Sequence, residues 1–374
     1  MRVTSRRVEL RSDTFTLPTR EMREAMVAAE LGDDVYGEDP TVRELEGMAA
    51  RVLGKEAGCF MPSGTMANLS AIMAHCPRGS AALVGMDSDI YRYEAGGASV
   101  CGGVVYRPIL NRADGGFEPG DILAALPGDV DDPQFAVPRV LCLENPANHA
   151  GAKILPEARV REVAELARRH GIAVHLDGAR IFNAAVSSGV PAQEIAACAD
   201  SVQFCLSKGL GAPVGSVVVG RAAFVREVRR IRKMLGGGMR QSGVLAAAGI
   251  VALKNRDRLA HDHETAGRLA EGLAATPGVE VVSSGMNMVF FRVPGMDHGR
   301  FIEEVGARGV AVAELGHERL RAVTHVGVGL DDVDYAVEAV RAVITGTTRR
   351  AAADSDAVTA AGESPAAMTK PSRS

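Results

Sequence analysis

Arg159-Val160-Arg161-Glu162-Val163-Ala164-Glu165-Leu166-Ala167-Arg168-Arg169-His170-Gly171-Ile172-Ala173-Val174-His175-Leu176-Asp177 is the stretch on which the fold turns. Val160, Val163, Ala164 and Ala167 recur at three- and four-residue spacing, which gathers apolar side chains on one helical face. Gly171 follows where a helix can end in a left-handed turn. Residues 173–176 then form a short apolar run suited to a buried strand. Helix, turn and strand in this rhythm belong to a unit that joins parallel strands through a crossover helix. Similar runs at 82–84, 104–109, 140–143, 201–206 and 216–219 predict an α/β domain, with a mostly parallel central sheet and helices on both faces. Ligands of such sheets gather at the carboxyl ends of the strands, and Asp177 stands at one of these ends.

Past residue 255 the rhythm changes. A long helix over 258–273 leads to Pro277-Gly278 and a strand at 288–293. A helix at 300–307, strand-like pieces at 310–313 and 320–325 and a last helix at 332–344 complete a small C-terminal α+β domain. The expected division is therefore 1–50 as an N-terminal segment, 51–255 as the large domain, 256–345 as the small one and 346–374 as a tail. The tail has no Leu, Ile, Phe, Tyr or Trp, cannot bury enough surface to offset its ordering entropy, and is expected to be disordered.

Composition narrows the partners. Of 374 residues, 47% are apolar and 24% charged, the balance of a globular domain rather than a disordered chain. The 42 basic and 46 acidic side chains give a net charge of −4, so neither nucleic acid nor an anionic membrane is the expected partner. No apolar run is long enough to span a bilayer, and no apolar segment follows Met1-Arg2-Val3-Thr4-Ser5-Arg6-Arg7, so a cytoplasmic protein is expected. Cys59, Cys76, Cys101, Cys142, Cys198 and Cys205 show neither a CxxC pair nor metal-like spacing with histidine. They read as reduced thiols, with no metal site.

Three places carry chemistry. Asp177 ends an apolar strand, where a carboxylate is costly unless something cationic meets it; its plainer reading is a cap for the next helix. Lys208 sits between an apolar strand and the turn Gly209-Leu210-Gly211, and desolvation there is expected to lower its pKa and leave it able to attack carbonyls. Pro62-Ser63-Gly64-Thr65-Met66 opens a helix whose free N–H groups and hydroxyls suit a phosphate, although capped helices are common. Together a phosphate cradle, a strand-end acid and a reactive lysine are what pyridoxal phosphate requires. His175 precedes Asp177 by two residues and shares its face of the strand.

On these residues, and on Leu10-Arg11-Ser12-Asp13-Thr14, Gly32-Asp33-Asp34-Val35-Tyr36-Gly37-Glu38-Asp39-Pro40, the run 175–184, the run 205–216 and the run 232–241, the chain resembles the low-specificity L-threonine aldolases. These belong to the aspartate-aminotransferase-like, fold type I pyridoxal phosphate enzymes. The resemblance runs from about Glu9 to about Ile344. It implies Lys208 as the Schiff-base lysine, Asp177 as the partner of the pyridine nitrogen, and Gly64 and Thr65 as phosphate binders, joined by Arg240 from a neighbouring subunit. It implies Ser12, Arg180 and Arg321 for the substrate carboxylate. Tyr36 would reach a neighbour's site, so the N-terminal segment would serve both active site and subunit contacts. The expected assembly is a homo-oligomer, a dimer or a dimer of dimers, acting on a small amino acid.

Two positions depart from the family. Asp89, in Asp87-Ser88-Asp89-Ile90-Tyr91-Arg92-Tyr93-Glu94, stands where the family carries a histidine, and Pro146-Ala147 replaces a Thr-His pair. An imidazole suits removal of a β-hydroxyl proton because its pKa lies near neutrality. The first reading is an aldolase that splits a β-hydroxy-α-amino acid into glycine and an aldehyde, with Asp89, Tyr91, Tyr93, His149 or water taking the proton. Related Cα or Cβ chemistry, such as transaldolation, β-elimination or racemisation, is the alternative, and a catalytically quiet cofactor-binding protein the next. A DNA-binding regulator is rejected for want of a basic helix-turn-helix stretch.

Overall fold

The computed structural model describes residues 7–316 and 318–362. The deciding stretch forms the helix Glu157–Arg169 and the strand Ala173–Asp177, and Gly171 between them takes φ +69°. Val160, Val163, Ala164, Leu166 and Ala167 all lie buried on one face of that helix. Each fully buried valine or leucine contributes roughly 1.5–3 kcal/mol.

Seven strands form the large sheet in the order Ala57–Met61, Ser216–Gly220, Ser201–Cys205, Ala173–Asp177, Pro138–Glu144, Ala81–Gly85, Val105–Ile109. Ser216–Gly220 runs antiparallel to both of its neighbours, and the remaining pairings are parallel. Alternation along the strands feeds two separate cores. Leu141 and Leu143 join the larger one, with the helices Pro40–Val52, Glu157–Arg169 and Gly243–Lys254. Val140 and Cys142 face the opposite way, toward Ile72 on the helix Gly64–His75. The sheet is thus covered on both faces, as parallel strands demand.

Ala57–Met61 had no counterpart among the expected strands. Its five residues run straight into the Pro62-Ser63 turn, and only pairing with Ser216–Gly220 identifies it. A second, four-stranded antiparallel sheet, Ala313–Glu314, Leu320–Val323, Met288–Arg292 and Glu280–Gly285, goes with the helices Leu259–Ala274 and His298–Gly306. The strand expected over 310–313 divides: Ala313–Glu314 stays in this sheet, whereas Val310–Ala311 pairs in parallel with Val8–Glu9. The N-terminal segment is therefore stitched to this C-terminal part of the chain, a link completed by the Val323 N–H donating to the Leu10 carbonyl at 2.8 Å.

The last helix runs from Leu330 to Gly362, through much of the stretch expected to be disordered. Once a packed helix exists, adding residues to it avoids the nucleation cost, and Ala351-Ala352-Ala353 are strong helix formers. Residues 363–374, also part of the expected tail, lie outside the described residues.

Candidate active site

Four loops converge on a cavity of about 300 Å³ at the carboxyl ends of the strands. The helix start brings Gly64 and Thr65, the loop after Ala81–Gly85 brings Asp89 and Tyr93, the strand Ala173–Asp177 brings Asp177, and the loop after Ser201–Cys205 brings Lys208. All six were named from the sequence, and the structure places them around one space.

Asp177 is buried, and its charge is met by donors rather than water. Oδ1 accepts from Gln203 Nε2 at 2.6 Å and from the Ala179 N–H at 3.0 Å, and Oδ2 accepts from Asn68 Nδ2 at 2.8 Å. Behind it runs a row of hydrogen bonds whose directions are fixed. Asn68 Nδ2 donates to both Asp177 and Glu94 Oε1, so its Oδ1 accepts from His175 Nε2 at 3.0 Å. His175 Nδ1 then accepts from Ser201 Oγ at 2.9 Å, and Ser201 Oγ accepts from His75 Nε2 at 2.8 Å. Burial lowers the pKa of His175 to about 3 and of His75 to about 4, so both rings are neutral at pH 7 and hold these tautomers. His175 thus acts on Asp177 through Asn68, as a positioning residue.

Asp89, Glu94 and Asp177 line the cavity, and Glu144 stands behind the Asp89 loop. Burial pushes the Asp177 carboxyl above its ordinary range, against the pull of Lys208. Burial, reinforced by Asp177, pushes Glu94 well up. Glu144 is driven up by burial and by Asp89, while its two oxygens accept the Asp89 and Asn148 N–H groups at 2.8 and 2.7 Å. Glu144 therefore clamps the Asp89 loop to the Asn148 loop. Asn148 Nδ2 in turn donates to Asp89 Oδ1 at 3.3 Å, and its Oδ1 accepts from Arg321 Nη1 at 3.1 Å. Arg321 is joined to the cavity wall through a single amide.

The arginines part ways. Arg180 gives Nε and Nη2 to Asp13 at 2.8 and 2.6 Å, a buried bidentate pair that takes up its fork. Arg321 donates Nη2 to the Arg11 carbonyl at 3.1 Å, and its buried Nε has no hydrogen-bond partner. Ser12 caps the short 3-10 helix Asp13–Phe15 and accepts the Thr14 N–H, between the two residues that meet the arginines. Tyr36 and Arg240 do not line the cavity of their own chain. Both are held by Asp33, whose Oδ1 accepts the Tyr36 N–H at 3.2 Å and whose Oδ2 accepts Arg240 Nη1 at 2.9 Å.

The family model for beta-eliminating lyases matches residues 9–294. The chain belongs to that family. The lyase is 46% identical over 344 residues to a probable low-specificity L-threonine aldolase 2 of Arabidopsis thaliana, covering 89% of this chain and 96% of the relative. It is 46% identical over 327 residues to the low specificity L-threonine aldolase of Escherichia coli, covering 87% and 96%. Its fold superimposes on the Leishmania major threonine aldolase with a TM-score of 0.76 at 20% identity, over 90% of this chain and 99% of that one.

The lyase's residues fit pyridoxal phosphate. A Cβ on Gly64 would come within 2.9 Å of Cys205 Sγ and 3.5 Å of Ser216 Oγ, so glycine lets the helix start, with its free N–H groups, sit close against the strand ends. Asp177, held by Asn68 and Gln203, would suit a protonated ring nitrogen, and Lys208 borders the same space.

One expectation is corrected. Desolvation does lower the pKa of Lys208, but Cys205, Asp89 and Asp177 outweigh it and hold the ammonium above the usual lysine value. The turn's apolar sequence gave no hint of how many acids the fold would bring to it. Sequence reading also left out Asn68, Gln203, Glu94 and Asp13. Of the suggested proton acceptors, Asp89 and Tyr93 line the cavity, while Tyr91 turns edge-on to Tyr106. His149 is drawn in and stacks on Tyr93, with ring centroids 5.3 Å apart and planes 12° apart.

Proposed function

We propose that the lyase cleaves the Cα–Cβ bond of a β-hydroxy-α-amino acid of the L-threonine or L-allo-threonine type, releasing glycine and an aldehyde. The meeting of Lys208, Asp177 and the Gly64 helix start in one cavity carries this reading, together with curated relatives named as L-threonine aldolases that match nearly end to end. The cofactor is pyridoxal 5'-phosphate. When bound it supplies a carbonyl carbon for amine attachment and a cationic ring that withdraws electrons from Cα.

The chain's own residues do the rest. Gly64 and Thr65 hold the phosphate with the helix N-terminus, and Asp177 keeps the ring nitrogen protonated. Lys208 holds the cofactor and is placed to return a proton to Cα. Arg321 grips the substrate carboxylate, because the fork of Arg180 is already engaged by Asp13. Asp89 and Tyr93 line the cavity and are the groups at hand to take a β-hydroxyl proton. An imidazole fits that task better, so Asp89→His is expected to raise L-threonine cleavage by up to about 10²-fold. Glycine release measured at pH 7–8 checks this, and an equally slow variant would show that the missing ring does not limit the rate.

The active form is a homo-oligomer with shared sites. What supports this is the position of Tyr36 and Arg240, both held by Asp33 and outside the lining of their own cavity. Arg240→Ala and Lys208→Ala subunits, each inactive alone, are expected to regain activity when allowed to exchange. Persistent inactivity in demonstrated hetero-oligomers would refute site sharing. A cytoplasmic setting fits six free cysteines, five of them buried.

A further inference from the structure

A second cavity, of about 470 Å³, lies against the active site, and nothing in the proposed reaction yet uses it. Its shared wall is the Asp89–Glu144 clamp and the Tyr93–His149 stack. Ser88, Glu144 and His149 face the second cavity, while Asp89 and Tyr93 face the first. Ala147 lines this second cavity and presents only a methyl group.

The lining is cationic: Arg112, Lys153, Arg292 and Arg319 against two acids, Asp87 and Glu144. Both acids also have partners outside this group. Asp87 takes Arg92 at 2.5 Å, and Glu144 spends both oxygens on backbone N–H groups. Arg112 is paired with Glu118. The hydrogen bonds that position two other cations go to carbonyls, which carry no net charge: Lys153 Nζ to Ala113 at 3.3 Å and Arg319 Nη2 to His149 at 2.8 Å. The Nε of Arg319 and the Oγ of Ser283 are buried and have no hydrogen-bond partner. Desolvation, and after it the nearby Arg292, lower the pKa of Arg319, while Asp87 pulls the other way. Two unsatisfied donors and a surplus of positive charge around one cavity describe an anion site.

We propose that this cavity receives an anionic group, carboxylate or phosphate, carried on the β-substituent of the substrate and retained by the aldehyde product. The inference rests on the aldolase reading for its link to catalysis. The bond changes balance without a co-reactant: the Cα–Cβ bond breaks, the β-hydroxyl gives up its proton as the carbonyl forms, and Cα regains a proton to become glycine. The anionic group stays intact.

Aldol cleavage is reversible, so the holoenzyme can be assayed by condensing glycine with aldehydes of similar length. Succinic semialdehyde carries a terminal carboxylate and pentanal does not, and glycolaldehyde phosphate distinguishes phosphate from carboxylate. The expected result is at least a tenfold higher kcat/KM for an anionic aldehyde than for pentanal. That ratio should fall at least tenfold in Arg319→Met and in Lys153→Met, the latter at an exposed position where folding is not at stake. Equal use of the three aldehydes, or a preference untouched by both substitutions, would overturn the inference. If no aldehyde condenses, the aldolase reading fails, and calorimetric titration of the holoenzyme with inorganic phosphate decides the anion site by itself. Binding weakened in both variants supports the site, and no binding to the unaltered enzyme removes it.

Discussion

Replacing Lys208 with alanine is expected to lower glycine release from L-threonine by about 10⁴-fold or more and to abolish the visible absorbance of the purified protein. Lys208 is the amine that borders both the Gly64 cradle and Asp177. Its loss removes the attachment point and the nearest base to Cα together, and effects of groups that act as a unit do not divide into small parts. Lys208→Arg should fail as well, since a guanidinium keeps the charge but stays protonated and cannot attack a carbonyl. Absorbance spectra and glycine assays on the two variants provide the check. Full activity in either would end the aldolase reading.

The largest effect on stability is expected at Asp13. Its side chain is 0% exposed and that of Arg180 is 6% exposed, so truncation to alanine strands a guanidinium without solvent or counter-charge. Breaking such a pair costs about 3–5 kcal/mol, although replacing both partners with apolar groups can be nearly neutral. The pH dependence follows from the direction of the shift. Although burial works the other way, Arg180 holds the Asp13 carboxyl well below the usual carboxylate range. A depressed folded-state pKa contributes stability that is complete above the unfolded value of about 3.9 and is lost as pH falls through the folded value. The gap between the unaltered protein and Asp13→Asn should therefore be constant from pH 5 to 8 and narrow below about pH 4. Denaturant midpoints across that range measure it, and a gap that widens on acidification would show that the pair does not behave as described.

How much of this was legible in the sequence depends on the range of each interaction. The strand Ala173–Asp177 and its preceding helix were readable because their apolar periods are local. Asn68 lies one helical turn beyond Gly64 and so on the same face, and Gln203 is a polar residue inside a fully buried strand. Those two carried signals that reading for charge and nucleophiles passed over. Asp13 carried none, since its partner lies 167 residues away. The raised pKa of Lys208 was equally hidden, because three separate segments deliver the groups that cause it. Glu280–Gly285 went unseen because its Ser283-Ser284 pair interrupts the apolar pattern.

The first described residues are fastened at two points. Val8–Glu9 and the Leu10 carbonyl are bound to Val310–Ala311 and Val323, and Asp13 is bound both to Arg180 beside the large sheet and to Asn287 beside the four-stranded one. Only three peptide steps separate Leu10 from Asp13, and fully stretched they reach roughly 10 Å. This short leash caps how far the two sheets can swing apart while both knots hold. A wide parting of the two sheets would first have to tear the beginning of the chain loose.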